Sequence, residues 1–415
     1  MRSSAFALPL FLCLGWTRAV VDSATAAKRT PCSESTLSWG QPVQLPSNTR
    51  RIARFPIISA NKGLVYMAGV NVPNLLDSAN ATDLLSIWRE GKGWVQGPAA
   101  VGVALLPQVA VPRTGAATLL WGGDSAGPRQ KVSWPFAISQ VWASSLDDRG
   151  QWSTPVLVFR GGVVWGKWAN DAVAAGRTNI ALAVPLFPVH PLGVLLIRFD
   201  GSRWTTAPVA GVTAGVTSTA VAGDSVYVAY LGVDTAADFD MNSVFLVRSS
   251  DGGTTWASPQ LVSRSGKLPA RDVRVRVDAA GRIYLMWVQR RPDSREVLRL
   301  VSSSDGGRSF STPSDLVLPN GVNAPQMAVD PCGTVIAVYE HYPNMALDGS
   351  LEYAVWRRTW LGPRRLFPSL RAMDATLAID QDGRAILGMI SQPALSPAST
   401  PFGSYFARLA RHASP

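Results

Sequence analysis

The chain has little charge for its length, few cysteines and almost no histidine. Charged residues fill 16% of 415 positions, and there are three cysteines and three histidines. His190, His341 and His412 do not stand at metal-ligand spacing with the cysteines, and neither a phosphate-binding glycine loop nor a G-x-S-x-G turn occurs. No metal and no cofactor is expected. Beyond the N-terminal stretch no apolar run is long enough to cross a bilayer, so the mature chain should carry no membrane span. The arginines are dispersed and no nucleic-acid motif occurs, so a nucleic-acid partner is not expected. Hydrophobic residues reach 47%, which excludes disorder for the body of the chain.

What is present begins with a leader. Arg2 precedes an apolar stretch from Ala5 to Trp16, and Ala24-Thr25-Ala26 offers small residues for cleavage. This pattern predicts a signal peptide over 1–26, a linker over 27–36 and a single domain over 37–411, secreted and monomeric. Lys and Arg number 39 against 28 Asp and Glu, a formal charge of +11. A surface this basic suits anionic partners such as acidic glycans.

Fifteen tryptophans, 36 glycines and 30 prolines fit many short strands separated by turns. Trp39, Trp94, Trp152, Trp204, Trp256, Phe310 and Trp360 recur at intervals of about fifty residues, each followed closely by proline. Between them lie apolar segments broken by tight turns, Asp278 to Gly281, Asp330 to Gly333 and Asp380 to Gly383 being the clearest. Each repeat therefore reads as two hairpins. A lone four-stranded sheet cannot bury both faces, whereas a ring of sheets can. The fold expected is an all-β propeller of seven four-stranded blades. The segment from Trp39 to Leu45 pairs beside Tyr405 to Leu409 and closes the ring.

Two turns repeat in sequence, Ser249-Ser-Asp251-Gly-Gly253-Thr-Thr-Trp256 and Ser303-Ser-Asp305-Gly-Gly307-Arg-Ser-Phe310, with a degraded copy at Asp147. They resemble the Asp-box (BNR repeat) of the sialidase family, S-x-D-x-G-x-T-W. The resemblance spans the mature chain at the level of its repeats and implies that these residues are structural, on the face away from any active site. Other propellers that are not sialidases carry such turns. Arg54-Phe55-Pro56 resembles the sialidase R-I-P motif, whose Arg helps hold the sialic-acid carboxylate. The acidic-Arg pair that follows in that family is missing at Gly69 to Val72. Sialidases also have six blades, the alternative fold here.

Catalysis of the sialidase kind needs an arginine cluster, an acid, and a tyrosine activated by a glutamate. The candidates are Arg54, Arg271, Arg274 and Arg371, Tyr342 with Glu340, and Asp77 or Asp83 as acid. For ligand binding at one mouth of the ring the candidates are Arg54, Asp171, Asp272, Arg274, Arg276 and Asp374, with Asn323 nearby. Arg274 and Arg276 alternate with valines in a strand expected to be innermost, and burial demands partners for them. The reading that results is an exported propeller binding a glycan or a cell-surface protein. An exo-acting glycosidase of sialidase type and a purely structural scaffold are the alternatives. Removal of the leader leaves Cys32 and Cys332, and the topology places both near one end of the ring, so a disulfide between them is expected.

Overall fold

The computed structural model describes residues 36–44, 52–61, 63–72, 82–96, 105–114, 116–123, 137–147, 151–164, 174–186, 193–232, 243–264, 268–318, 322–342, 349–380, 383–393 and 403–412. The described residues form seven antiparallel sheets and no helix. Blades one to six are each four strands taken in chain order. Their first strands are Ile52–Asn61, Leu105–Ala110, Ala174–Ala175, Val216–Ala222, Ala270–Val277 and Val322–Val329. Blade seven runs from Leu370–Ile379 through Ala385–Pro393 to Gly403–His412, and its outer position is filled from the N-terminus. First strands of neighbouring blades pack on one another around the centre.

The closing segment is two short pieces rather than one strand. Thr36–Trp39 pairs with Leu409 to His412, and Val43–Gln44 pairs with Phe406 and Tyr405. Pro42 lies between the pieces, where the chain leaves the ladder that a proline cannot join. Thr36 opposes His412, so the closing strand starts at the end of the ring that also carries the inner-hairpin turns.

Seven apolar clusters fill the seven seams between blades. The repeated aromatics do what their spacing implies. Trp39, Trp152, Trp204, Trp256, Phe310 and Trp360 each pack into a seam. A pleated sheet with both faces covered reads as continuous apolar sequence, as in Ile283–Arg290, where seven of eight residues are buried.

Carboxylates build the turns at this end. In the inner hairpins Asp278 Oδ1 accepts the amides of Ala280 and Arg282, both at 2.9 Å, and Asp330 Oδ1 accepts those of Cys332 and Thr334 at 2.8 and 2.9 Å. In the outer hairpins Asp251 accepts the Thr255 hydroxyl at 2.6 Å and its amide at 2.9 Å, and Asp305 does the same with Ser309 at 2.6 and 3.0 Å. These bonds hold both carboxyls well below the usual carboxylate range. Asp147 keeps one such bond, from the Gln151 amide at 2.7 Å. Gly253 and Gly307 sit at φ 93° and 85°, and a Cβ on Gly307 would come within 2.8 Å of Leu246.

Arginines near the ends of third strands reach across to the turn of the next blade. Arg248 Nη1 donates to the Gly306 carbonyl at 2.8 Å, and Arg198 Nη1 approaches the Thr254 hydroxyl at 3.4 Å. Arg408 lies 3.4 Å from Glu90 and 4.4 Å over the Trp88 ring, across the seam that closes the ring. Side chains also tie blade three to blade four: the buried Ala183 amide donates to Thr219 Oγ1 at 3.0 Å, and its carbonyl accepts from Thr217 Oγ1 at 2.8 Å.

Candidate functional site at the mouth of the ring

The inner strands share a defect. Five of them lose register at the same height, between Arg54 and Ile57, Leu105 and Gln108, Arg271 and Arg274, Asn323 and Gln326, and Met373 and Thr376. Each leaves two residues outside the ladder, a β-bulge that bends the strand and re-aims a side chain. The first of the two is Phe55, Leu106, Asp272, Ala324 or Asp374, and the last three have φ of 57°, 46° and 52°. An L-residue held there costs roughly 1–2 kcal/mol, least for a short polar side chain such as Asp. The second residue is proline in three blades, Pro56, Pro107 and Pro325. Proline fits because a bulge position donates no ladder hydrogen bond.

This geometry re-reads Arg54. Counting back from the hairpin glycine aligns Arg54 with Asp272 and Asp374, but the inner turn of blade one is shorter than that of blade five. By register Arg54 is the counterpart of Arg271 and Asn323. Arg-Phe-Pro here is the last paired residue followed by a bulge whose proline two other blades repeat.

Arg271 serves as a clamp between blades. Its Nε and Nη2 grip Glu296 at 3.2 and 2.7 Å, Nη2 also donates to the Val322 carbonyl at 2.7 Å, and Nη1 bonds Asp272. Burial alone would lower its pKa, but the bond to Glu296 and the charge of Asp272 raise it instead. The start of the blade-six inner strand is thereby fixed to blade five.

Between blades six and seven lies a phenol with two carboxylates. Glu340 is 3% exposed and stands opposite Asn323. Tyr342, two residues on, donates its hydroxyl to Glu340 Oε2 at 2.9 Å. Its ring packs over Gly349, leaving no room there for a Cβ. Burial first, then Glu340, then Asp374 drive the Tyr342 pKa far above the ordinary phenol value. Asp374, on its bulge, is thus part of the same electrostatic cluster. On the neighbouring residue His341 Nδ1 meets Glu352 Oε1 at 2.9 Å.

Below the bulges the inner strands turn polar. Gln108, Arg274, Gln326 and Thr376 are each the first paired residue after the break, and their exposures are 1%, 2%, 6% and 5%. Arg274 Nη1 donates to the Val273 carbonyl at 2.9 Å, and Arg276 Nη1 donates to that of Val275 at 2.8 Å. Arg371 pairs with Gln392 above the bulge of blade seven. Arg54, Arg274 and Arg371 therefore belong to three blades and three heights, spread over about 13 Å of strand. Asp83 opposes Val70, which opposes Arg54 on its other side. Asp77 and Asp171 lie outside the described residues. The residues not anticipated are Glu296, Gln108, Gln326 and Thr376. The proline shared by three bulges was the available signal for two of them.

Among the described residues no three His, Cys, Asp or Glu side chains gather as a metal site would require, and no helix is long and apolar enough to cross a membrane. No protein-family model matches the chain, and no curated protein matches its sequence. Solved structures do match. A polysaccharide lyase of family PL25, an ulvan lyase bound to -[GlcA(1-4)Rha3S]-, superposes with a TM-score of 0.56 at 12% identity, covering 89% of this chain and 96% of its own. A protein of unknown function from Dyadobacter fermentans gives 0.52 at 13% identity, covering 91% and 99%. An α-L-arabinanase of Penicillium chrysogenum gives 0.49 at 10% identity, covering 90% and 98%. At these identities the likeness is one of fold, that of the β-propellers.

Proposed function

We propose that this chain is an exported propeller that binds a glycan at the bulged mouth of its ring. The observation that carries the reading is the pair of aspartates, Asp272 and Asp374, held at positive φ on bulges, the second of them acting on the Tyr342–Glu340 pair. Strained backbone of this kind persists where the surrounding structure over-determines it, and it concentrates at ligand sites. Carboxylates and a phenol at the mouth suit sugar hydroxyls, which donate to the first and exchange with the second. The PL25 neighbour, solved bound to -[GlcA(1-4)Rha3S]-, agrees with that ligand class. The leader over 1–26 is the ground for export.

The test is a glycan array probed with the purified mature protein, followed by calorimetry on Asp374→Asn and Tyr342→Phe. Binding to a defined glycan is expected, reduced about tenfold or more by either variant while the protein remains folded, with some loss of thermal stability in Tyr342→Phe because Glu340 loses that donor. Absence of any glycan ligand, or binding indifferent to both variants, overturns the reading.

A second reading rests on one contact. The Tyr342 hydroxyl already hydrogen-bonds the carboxylate that would take its proton, and the charge of Asp374 acts on it. This is the arrangement of a glycosidase with a tyrosine nucleophile. The dispersal of Arg54, Arg274 and Arg371 weighs against a sialidase, and a fluorogenic sialoside is expected to show no turnover. Turnover abolished by Tyr342→Phe would reverse the order of the two readings.

A further inference from the structure

The seam between blades six and seven, beside the closing strand, carries a groove of about 550 Å³, within the range of small-ligand sites. Six of its lining residues carry aromatic rings or guanidiniums. Trp39 comes from the closing strand, Tyr353 from the third strand of blade six, Arg364 and Arg365 from its outer strand, Phe367 from the link to blade seven, and Tyr405 from the third strand of that blade. Trp39 and Tyr353 meet edge to face, ring centroids 6.1 Å apart. Phe367 is held at φ 44°, in a turn closed by the Leu370 amide on its carbonyl at 2.8 Å. Strain on an aromatic residue lining a groove is the same kind of signal as the strain at the mouth.

Arg364 and Arg365 are exposed, and neither meets a carboxylate among the described residues. Glu352, directly across the ladder from Arg365, is bonded to His341 instead. The mouth is dominated by carboxylates, whereas this groove combines free guanidiniums with aromatic walls. A ring wall takes the C–H face of a sugar by dispersion and burial, and a guanidinium fork takes carboxylate or sulfate.

We propose that the seam groove binds an acidic oligosaccharide, its sugar faces against Trp39, Phe367 and Tyr405 and its anionic groups on Arg364 and Arg365. The inference shares only the ligand class with the mouth reading and uses none of its residues. The +11 charge of the chain favours the same sign of ligand over longer range.

Calorimetry on the full mature chain tests it with five ligands: tetragalacturonate for carboxylate, a sulfated neutral tetrasaccharide for sulfate, cellotetraose, hexaglutamate, and sodium sulfate alone. Binding of one or both acidic sugars is expected, weakening as salt is added. Arg364→Ala/Arg365→Ala should reduce it about tenfold or more without lowering the melting temperature, since both side chains are exposed. Asp374→Asn, which reports on the mouth, should leave it unchanged. The preferred sugar identifies the anionic group. Failure of both acidic sugars to bind, an unaltered affinity in the double variant, or equal binding of cellotetraose, hexaglutamate or free sulfate overturns the proposal. Loss of acidic-sugar binding only in Asp374→Asn overturns it too, while supporting the mouth.

Discussion

Ala324 occupies the same strained place as Asp272 and Asp374 but offers no functional side chain. It therefore separates the cost of the bulge from its use. Ala324→Gly should raise stability by about 1 kcal/mol in denaturant unfolding, because glycine enters the left-handed region without its Cβ penalty. Asp374→Gly should gain less, aspartate being tolerated there, and should lose ligand. The carboxyls of Asp251 and Asp305 act at the other end. Each is depressed first by a hydroxyl and then by an amide of the same residue. A depressed pKa contributes stability above the unfolded value, about 4, and that contribution is lost as pH falls through the folded value. Unfolding monitored from pH 5 downward should weaken steadily, and Asp251→Asn/Asp305→Asn should flatten the slope. The tyrosines give the opposite limb. Burial pushes Tyr230 and Tyr284 up to about 12, so their contribution is complete below about pH 10 and disappears as pH rises through 12. At this scale the sequence was only partly legible. Asp251 and Asp305 announced their turns because a local motif fixes local bonds. The place of Arg54 was off by one residue, because register depends on a hairpin length that is set by tertiary pairing.

The hairpin and the blade were the most readable level, since the aromatic recurrence and the Asp-Gly turns both follow from period and turn chemistry. The bulges were not, although Pro56, Pro107 and Pro325 marked three of them. A bulge depends on the partner strand, which the local sequence does not contain. The links between blades were equally hidden, because Arg248 makes its contact 58 residues away with Gly306. Arg248→Ala should cost about 1–2 kcal/mol by removing a charged donor from a turn carbonyl. Gly307→Ala, in the turn that Arg248 grips, should cost about 1–3 kcal/mol, since the new Cβ meets both positive φ and Leu246. If the latch and the turn act together, the double variant should fall short of the sum of the two.

At the scale of the whole ring, one seam differs from the other six. Every blade but the seventh is continuous in sequence, and the seventh depends on Thr36–Trp39 and Val43–Gln44 returning to the last strand. These pieces are short, their ladder is interrupted at Gln41 and Pro42, and the groove lies beside them. Such an edge needs a further tie. Cys332, in the inner turn of blade six, is disulfide-bonded. Cys13 and Cys32 lie outside the described residues, and Cys13 falls within the stretch read as the leader. We propose Cys32 as the partner. The closing strand begins at Thr36, at the end of the ring that carries the turn of Cys332, and four residues separate Cys32 from it in sequence. A bond there spans nearly the whole domain and anchors the one strand whose release opens the ring. Closing so long a loop stabilises by roughly 2–5 kcal/mol. Cys32→Ser should therefore lower the melting temperature of the mature protein, and reduction of the wild type should reproduce the loss. Non-reducing peptide mapping should recover a single Cys32–Cys332 peptide. Recovery of alkylated Cys32 alongside an intact bond on Cys332, or a Cys32→Ser variant as stable as wild type, would show that the ring is closed by its ladder and core alone.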